Sequence, residues 1–133
     1  MLISFSRINR IIGGISLLLL TACQHSSDEC LSIAFTGDVL LDRGVRQQIQ
    51  RGGVKDLFAS VAPLFHQVDA TVINLECPAT SVHSPLHKKY IFRAEPGWME
   101  ELAKAGISHA ALANNHTMDQ GRSGLIDTYQ HLL

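Results

Sequence analysis

The alternation of apolar runs and polar stops along the chain predicts a repeating strand and helix order. Leu31 to Thr36 is a short apolar run that stops at Gly37-Asp38, the form of a buried strand running into a loop. Val54, Leu57, Phe58, Val61, Leu64 and Phe65 recur with helical spacing, and Pro63 is placed to kink or split that helix. Ala70 to Leu75 is a second β-rich run, ending at Glu76-Cys77-Pro78. From Ala79 to Glu95 the composition turns to Ser, His, Pro and Lys, which predicts an extended loop up to Pro96. Met99, Leu102 and Ala103 suggest a short helix closed near Gly106, and His109 to Ala113 reads as a third strand. A last helix from near Arg122 would carry Leu125, Ile126, Tyr129, Leu132 and Leu133 on one face.

That order, β-α-β-loop-α-β-α, predicts an α/β fold with a parallel sheet and helices packed on it. In such sheets ligands bind beyond the carboxyl ends of the strands. All three predicted strands end in polar groups suited to a metal or a phosphate: Gly37-Asp38, Glu76 and Asn115-His116.

The N-terminus follows a different pattern. Arg7 and Arg10 precede an apolar run from Ile11 to Leu20, which leads into Leu20-Thr21-Ala22-Cys23. About 20 apolar residues are needed to span a bilayer and this run has roughly ten, so residues 1–22 read as a secretion signal and not as a membrane span. Leu-Thr-Ala-Cys resembles the bacterial lipobox, which would make Cys23 a lipidated N-terminus and residues 23–30 a polar tether. The expected location is the cell envelope, on a lipid anchor facing the periplasm or exterior.

Composition adds little beyond confirming a globular domain after that leader: 46% of residues are hydrophobic and 17% charged. The net charge is −1, and loss of Arg7 and Arg10 leaves about −3, which argues against a nucleic-acid partner. Cys30 and Cys77 remain for an exported chain to pair. They flank opposite ends of parallel strands, roughly 20 Å apart at about 3.3 Å per residue, whereas a disulfide needs Cα atoms within about 7 Å. Two unpaired thiols are expected, Cys30 as a packing residue and Cys77 near the strand ends.

The strand ends carry the candidate chemistry. An acid directly after a buried strand is held by the rigid element behind it, as a metal ligand must be, which singles out Asp38; Asp is equally at home as a turn or cap residue. Arg43, five residues on, is placed to bind an anionic oxygen. Glu76 after Val72-Ile73-Asn74-Leu75 needs a cationic partner, and Asn74 is suited to orient the loop through its amide. Asn115 and His116 put a hard-metal ligand beside an acid/base group, with Asp119 and Gly121 following.

Gly37-Asp38-Val39-Leu40-Leu41-Asp42-Arg43, Asn74-Leu75-Glu76, Lys89-Tyr90-Ile91-Phe92-Arg93-Ala94-Glu95-Pro96 and Asn114-Asn115-His116-Thr117-Met118-Asp119-Gln120-Gly121 resemble, in order and spacing, the CapA family of capsule and poly-γ-glutamate synthesis proteins. The resemblance covers 31–133 and implies the N-terminal portion of a metallophosphatase-like α/β sandwich, with further histidine motifs falling beyond Leu133. It implies two divalent metal ions, with Asp38, Glu76 and Asn115 among their ligands and His116 as the catalytic proton donor. Arg43, Lys89, Arg93 and Asp119 would meet the substrate. The implied partners are an anionic capsule polymer or its precursor and the membrane synthase subunits that make it. One departure stands out: the superfamily's first strand usually ends in Asp-x-His, and here Val39-Leu40 follow Asp38. The expectation is therefore either a hydrolase whose residues up to Leu133 are inactive alone, or a non-catalytic assembly and export factor.

Overall fold

In the computed structural model, residues 30–133 are described; the expected leader, Cys23 and the tether up to residue 29 lie outside the described residues. Three parallel strands, β1 (Ile33–Val39), β2 (Ala70–Leu75) and β3 (His109–Ala111), form one sheet in the order β1-β2-β3. Between β1 and β2 come α1 (Arg43–Gly52), α2 (Val54–Phe58) and α3 (Ala62–Phe65); α4 (Trp98–Lys104) precedes β3 and α5 (Gly121–His131) follows it. The α/β reading therefore holds at the level of a parallel sheet with alternating helices.

Helix α1 escaped the hydrophobic pattern because Val45 and Ile49 are its only large apolar residues. Its ends explain why it forms: the Asp42 carboxylate accepts from Arg43 N at 2.7 Å as an N-cap, and Gly53 closes it at φ 87°. The expected helix through Val54 and Phe65 is two short ones, with Pro63 in the first turn of α3, where its missing N–H costs nothing.

Two expectations about burial are corrected. The apolar run of β1 predicted a buried strand, yet Ile33 and Phe35 are 43% and 77% exposed. Their register with Ala70 and Val72 puts them on the sheet face opposite to Thr71, Ile73 and Leu75, which are buried. The core of Leu41, Ile73, Leu75, Met99, Leu102 and Ile107 lies on that second face, so among the described residues the sheet is covered on one side only. For α5 the predicted apolar face holds only in part: Leu125 and Leu132 are half-buried and Leu132 packs against the core, but Ile126, Tyr129 and Leu133 are exposed while Gly124 and Thr128 are buried. The helix also docks through polar groups, Asp127 accepting from Thr80 Oγ1 at 2.5 Å and from Ser81 N at 3.1 Å. Gly124 leaves room for the Gln120 side chain, since a Cβ there would stand 2.5 Å from Gln120 Cβ.

The segment between β2 and α4 has no regular structure beyond a bridge between Ala79 and Ala94, and it runs as a strap across the sheet end. Thr80, Phe92 and Ala94 are buried in it. Cys30 and Cys77 are both free, as expected, but Cys30 is exposed and packs against no core.

Leu75 is fully buried in the central strand, so Leu75→Ala should lower unfolding free energy by about 2–5 kcal/mol. Phe35→Ala, on the bare face, should change it by no more than about 0.5 kcal/mol. Urea denaturation of both variants checks the one-sided core.

Candidate functional site at the strand ends

Strand β1 does not stop before Gly37-Asp38 but continues to Val39, and it carries one residue more than β2 across the gap. Phe35 pairs with Val72 and Asp38 with Asn74, so three steps on β1 oppose two on β2. That bulge reverses the facing of β1 and brings Asp38 onto the same side as Asn74. Asp38 Oδ1 accepts from Asn74 Nδ2 at 2.7 Å, and Asn74 Oδ1 accepts from Asn114 Nδ2 at 3.0 Å. Asn114 Nδ2 also donates to Leu75 O at 2.9 Å, and its Oδ1 accepts from His116 N at 2.9 Å. One chain of amide and carboxylate groups thus links the ends of all three strands.

Asn114 was not among the expected site residues, although its neighbour was. Asn115 is exposed, and its carbonyl accepts from Lys88 Nζ at 2.8 Å. Glu76 is half-buried at the end of β2, its N–H bonded to Val39 O at 3.1 Å.

Beside this chain, the strap supplies an aromatic wall. The Arg43 guanidinium stands 4.7 Å from the centroids of both the Tyr90 and Phe92 rings. Arg43 is also the one non-glycine among the described residues with positive φ, 54°, a conformation that costs on the order of 1–3 kcal/mol and persists only when its surroundings impose it. Phe92 in turn packs on the His116 ring, centroids 4.3 Å apart. Arg43 and His116 therefore share Phe92 as a common wall. Lys89 Nζ lies over Tyr90 at 5.2 Å.

The other two expected substrate residues sit behind that surface. The Arg93 guanidinium is held by Glu95 at 2.8 and 3.2 Å and by Thr80 O at 2.6 Å, while its N–H donates to Asp42 Oδ2 at 2.9 Å. Asp119 has no exposed surface; its oxygens accept from Lys88 Nζ, Phe92 N and His116 Nδ1 at 2.5, 2.7 and 2.8 Å. Arg46 completes the frame, donating to Asp42, to Glu95 at 2.7 Å and to Arg93 O, with Trp98 stacked on its guanidinium.

As a metal centre the arrangement is incomplete. Among the described residues no three His, Cys, Asp or Glu side chains are grouped closely enough to hold an ion. Asp38 and Glu76 end adjacent strands, but His116 gives its Nδ1 to Asp119, and the expected donors alone do not fit a two-metal site.

The family model for the bacterial capsule synthesis protein PGA_cap matches residues 32–133. The PGA biosynthesis protein CapA of Bacillus subtilis (strain 168) is 30% identical over 104 residues, covering 77% of this chain and 27% of that protein. The capsule biosynthesis protein CapA of Bacillus anthracis is 28% identical over 109 residues, covering 79% and 26%. The chain spans about a quarter of the length of the curated relatives it matches.

Two solution properties follow from this frame. The hydrogen bond from Arg46, with that from Arg93, holds the Glu95 carboxyl below its ordinary 4.5 against an opposing cost of partial burial. The unfolded chain then binds the proton more readily, so this stabilisation is present above pH 4.5 and lost as pH falls through the lower folded value. Glu95→Gln should therefore lower stability at pH 7 and flatten its decline below pH 4.5, as seen by thermal melts across pH. Burial pushes the Cys77 thiol up to about 11. At pH 8 an alkylating reagent should modify Cys30 in the native chain and Cys77 only after unfolding, read by peptide mass spectrometry.

Proposed function

The chain belongs to the bacterial capsule synthesis protein family, and from that premise we propose that it serves in making or exporting an anionic surface polymer of the poly-γ-glutamate kind, through a phosphoesterase-like hydrolytic site. The observation that carries this reading is the packing of Arg43 and His116 against the same Phe92 ring at the strand ends. A guanidinium stacked between two rings keeps its planar edge of N–H donors for a phosphate or carboxylate. An imidazole one ring away is within a substrate's reach for proton transfer. Lys89 adds a second positive charge on the same rim. Arg93 and Asp119 would support that surface from behind, through Glu95, Thr80, Lys88 and Phe92.

Divalent ions, held with the help of donors beyond the described residues, would supply the Lewis acid for such a reaction. Asp38 and Glu76, with Asn115, would contribute to holding them, and the remaining donors would come from outside the described residues. What this chain's own residues do is bind the anion through Arg43 and Lys89 and move a proton at His116. The sheet would then be part of a metallophosphatase-like sandwich, a reading supported by the bare apolar face carrying Ile33 and Phe35. Anchoring in the envelope through lipid on Cys23 completes it.

A second reading is favoured by the lack of a three-donor cluster among the described residues and by Val39-Leu40 after Asp38. In it the protein is a non-catalytic assembly factor that guides polymer through membrane synthase subunits.

The two readings separate on the protein as its gene produces it, in a polymer-forming cell. If the site is hydrolytic, His116→Ala should cut turnover of an aryl phosphodiester about 100-fold or more, the usual contribution of a proton-transfer group, and polymer output should fall with it. Unchanged polymer output in His116→Ala, with synthase subunits still co-purifying, would overturn the hydrolase and leave the assembly role.

A further inference from the structure

Lys88 lies in the strap, beside Lys89 but facing the other way in function: its ammonium is spent inside the protein. Nζ sits 2.5 Å from Asp119 Oδ1 and 2.8 Å from Asn115 O, so one side chain bridges the two ends of the turn that carries His116. Asp119 Oδ2 takes Phe92 N at 2.7 Å and lies 2.8 Å from His116 Nδ1. An ammonium and a backbone N–H can only donate, and an ionised carboxylate can only accept. With both oxygens so committed, the contact to His116 is a hydrogen bond only if Nδ1 carries the proton.

We propose that Lys88 and Asp119 are the positioning residues of His116, fixing its ring as the Nδ1–H tautomer and leaving Nε2 as the lone-pair nitrogen turned away from the carboxylate. This rests on the reading of His116 as the proton-transfer group and deepens it. Asp119 sets the tautomer; Lys88 supplies the opposite charge beside the buried carboxylate and, through Asn115 O, holds the turn so that Oδ2 meets the imidazole. Were position 119 an amide with its carbonyl oxygen held by the Lys88 charge, its NH2 would face both Nδ1 and Phe92 N, which moves the ring proton to Nε2 and costs the Phe92 hydrogen bond. The ring is then held from three directions, by Asp119, by the Phe92 face and by the turn that Lys88 closes. Positioning groups of this kind are the outer partners that give a histidine a single orientation and basicity.

The test reads the tautomer directly and needs no substrate. Long-range 1H–15N correlation spectra of the full 133-residue chain, labelled at histidine, distinguish the protonated ring nitrogen from the bare one; His116→Gln identifies the signals. The native chain should show Nδ1–H over Nε2–H by about tenfold or more, the ratio a charge-assisted hydrogen bond of ordinary strength gives. Asp119→Asn should invert that preference. Lys88→Met should reduce the ratio about tenfold and Lys88→Arg should restore it. A native ring protonated mainly at Nε2 overturns the proposal. So does a folded Asp119→Asn chain that keeps Nδ1–H, or a Lys88→Met chain with an unchanged ratio. Should Asp119→Asn fail to fold, the native spectrum and the Lys88 pair decide alone. A correct tautomer in a protein without hydrolytic activity would sink the hydrolase reading and leave this one standing.

Discussion

A carboxylate with no exposed surface must find its hydrogen bonds inside the protein, and Asp119 finds them in segments well separated along the chain. Stripping such a group of water costs several kcal/mol, returned only when charge and donors are supplied in good geometry. Lys88 supplies the charge; Phe92 N and His116 Nδ1 complete the set. Because two donors come from the strap and the third from the turn of Asp119 itself, satisfying Asp119 fixes the strap, the turn after β3 and the imidazole relative to one another. The aromatic wall stands where it does as a result.

Asp42 repeats the device one residue further along the strap. Phe92 N goes to Asp119 and the next amide, Arg93 N, goes to Asp42. Consecutive amides of an irregular segment are thus fastened by two carboxylates from different elements, which meets the requirement that buried backbone donors be paired. Asp42 also caps α1 and binds Arg46, so the helix start, the strap and the Arg93–Glu95 pair form one polar frame. Arg43 opens α1 directly after that cap, and its left-handed backbone is the local cost of turning the guanidinium onto Tyr90 and Phe92.

What could be read from the sequence follows the same division between apolar and polar determinants. Strand β2 is legible because Ala70 to Leu75 is β-rich and ends sharply, and its observed bounds agree. The break at Pro63 and the stop at Gly106 were visible as backbone chemistry. Helix α1 was not, since capping by Asp42 decides it and apolar periodicity hardly contributes. The face of α5 is legible only in part, at Leu132, because its other neighbour is a strap presenting Thr80 and Ser81, and a hydrophobic count has no knowledge of a polar partner. Asp38 and His116 are singled out in the sequence by their place at predicted strand ends. The roles of Asn114 and Lys88 depended on a bulge and on a tertiary contact, neither of which leaves a periodic trace. The sequence places Asp119 among substrate contacts because burial of a charged residue is a property of the fold.

Local rules are broken together in this protein. A bulge turns Asp38 across the sheet, a non-glycine residue at position 43 takes positive φ, and a charge at position 119 is buried without exposure. Each departure costs stability, and a sequence shaped for folding alone has no reason to gather them at one end of one sheet. The opposite end and the helical layer keep to ordinary pattern: a buried apolar cluster and a proline where its missing N–H is harmless. Residue types at the strand ends are compatible with many roles, whereas the coincidence of strain, buried charge and altered register is hard to explain without a ligand that the arrangement serves. That coincidence argues for a site more strongly than the identity of Asp38 or His116 taken alone.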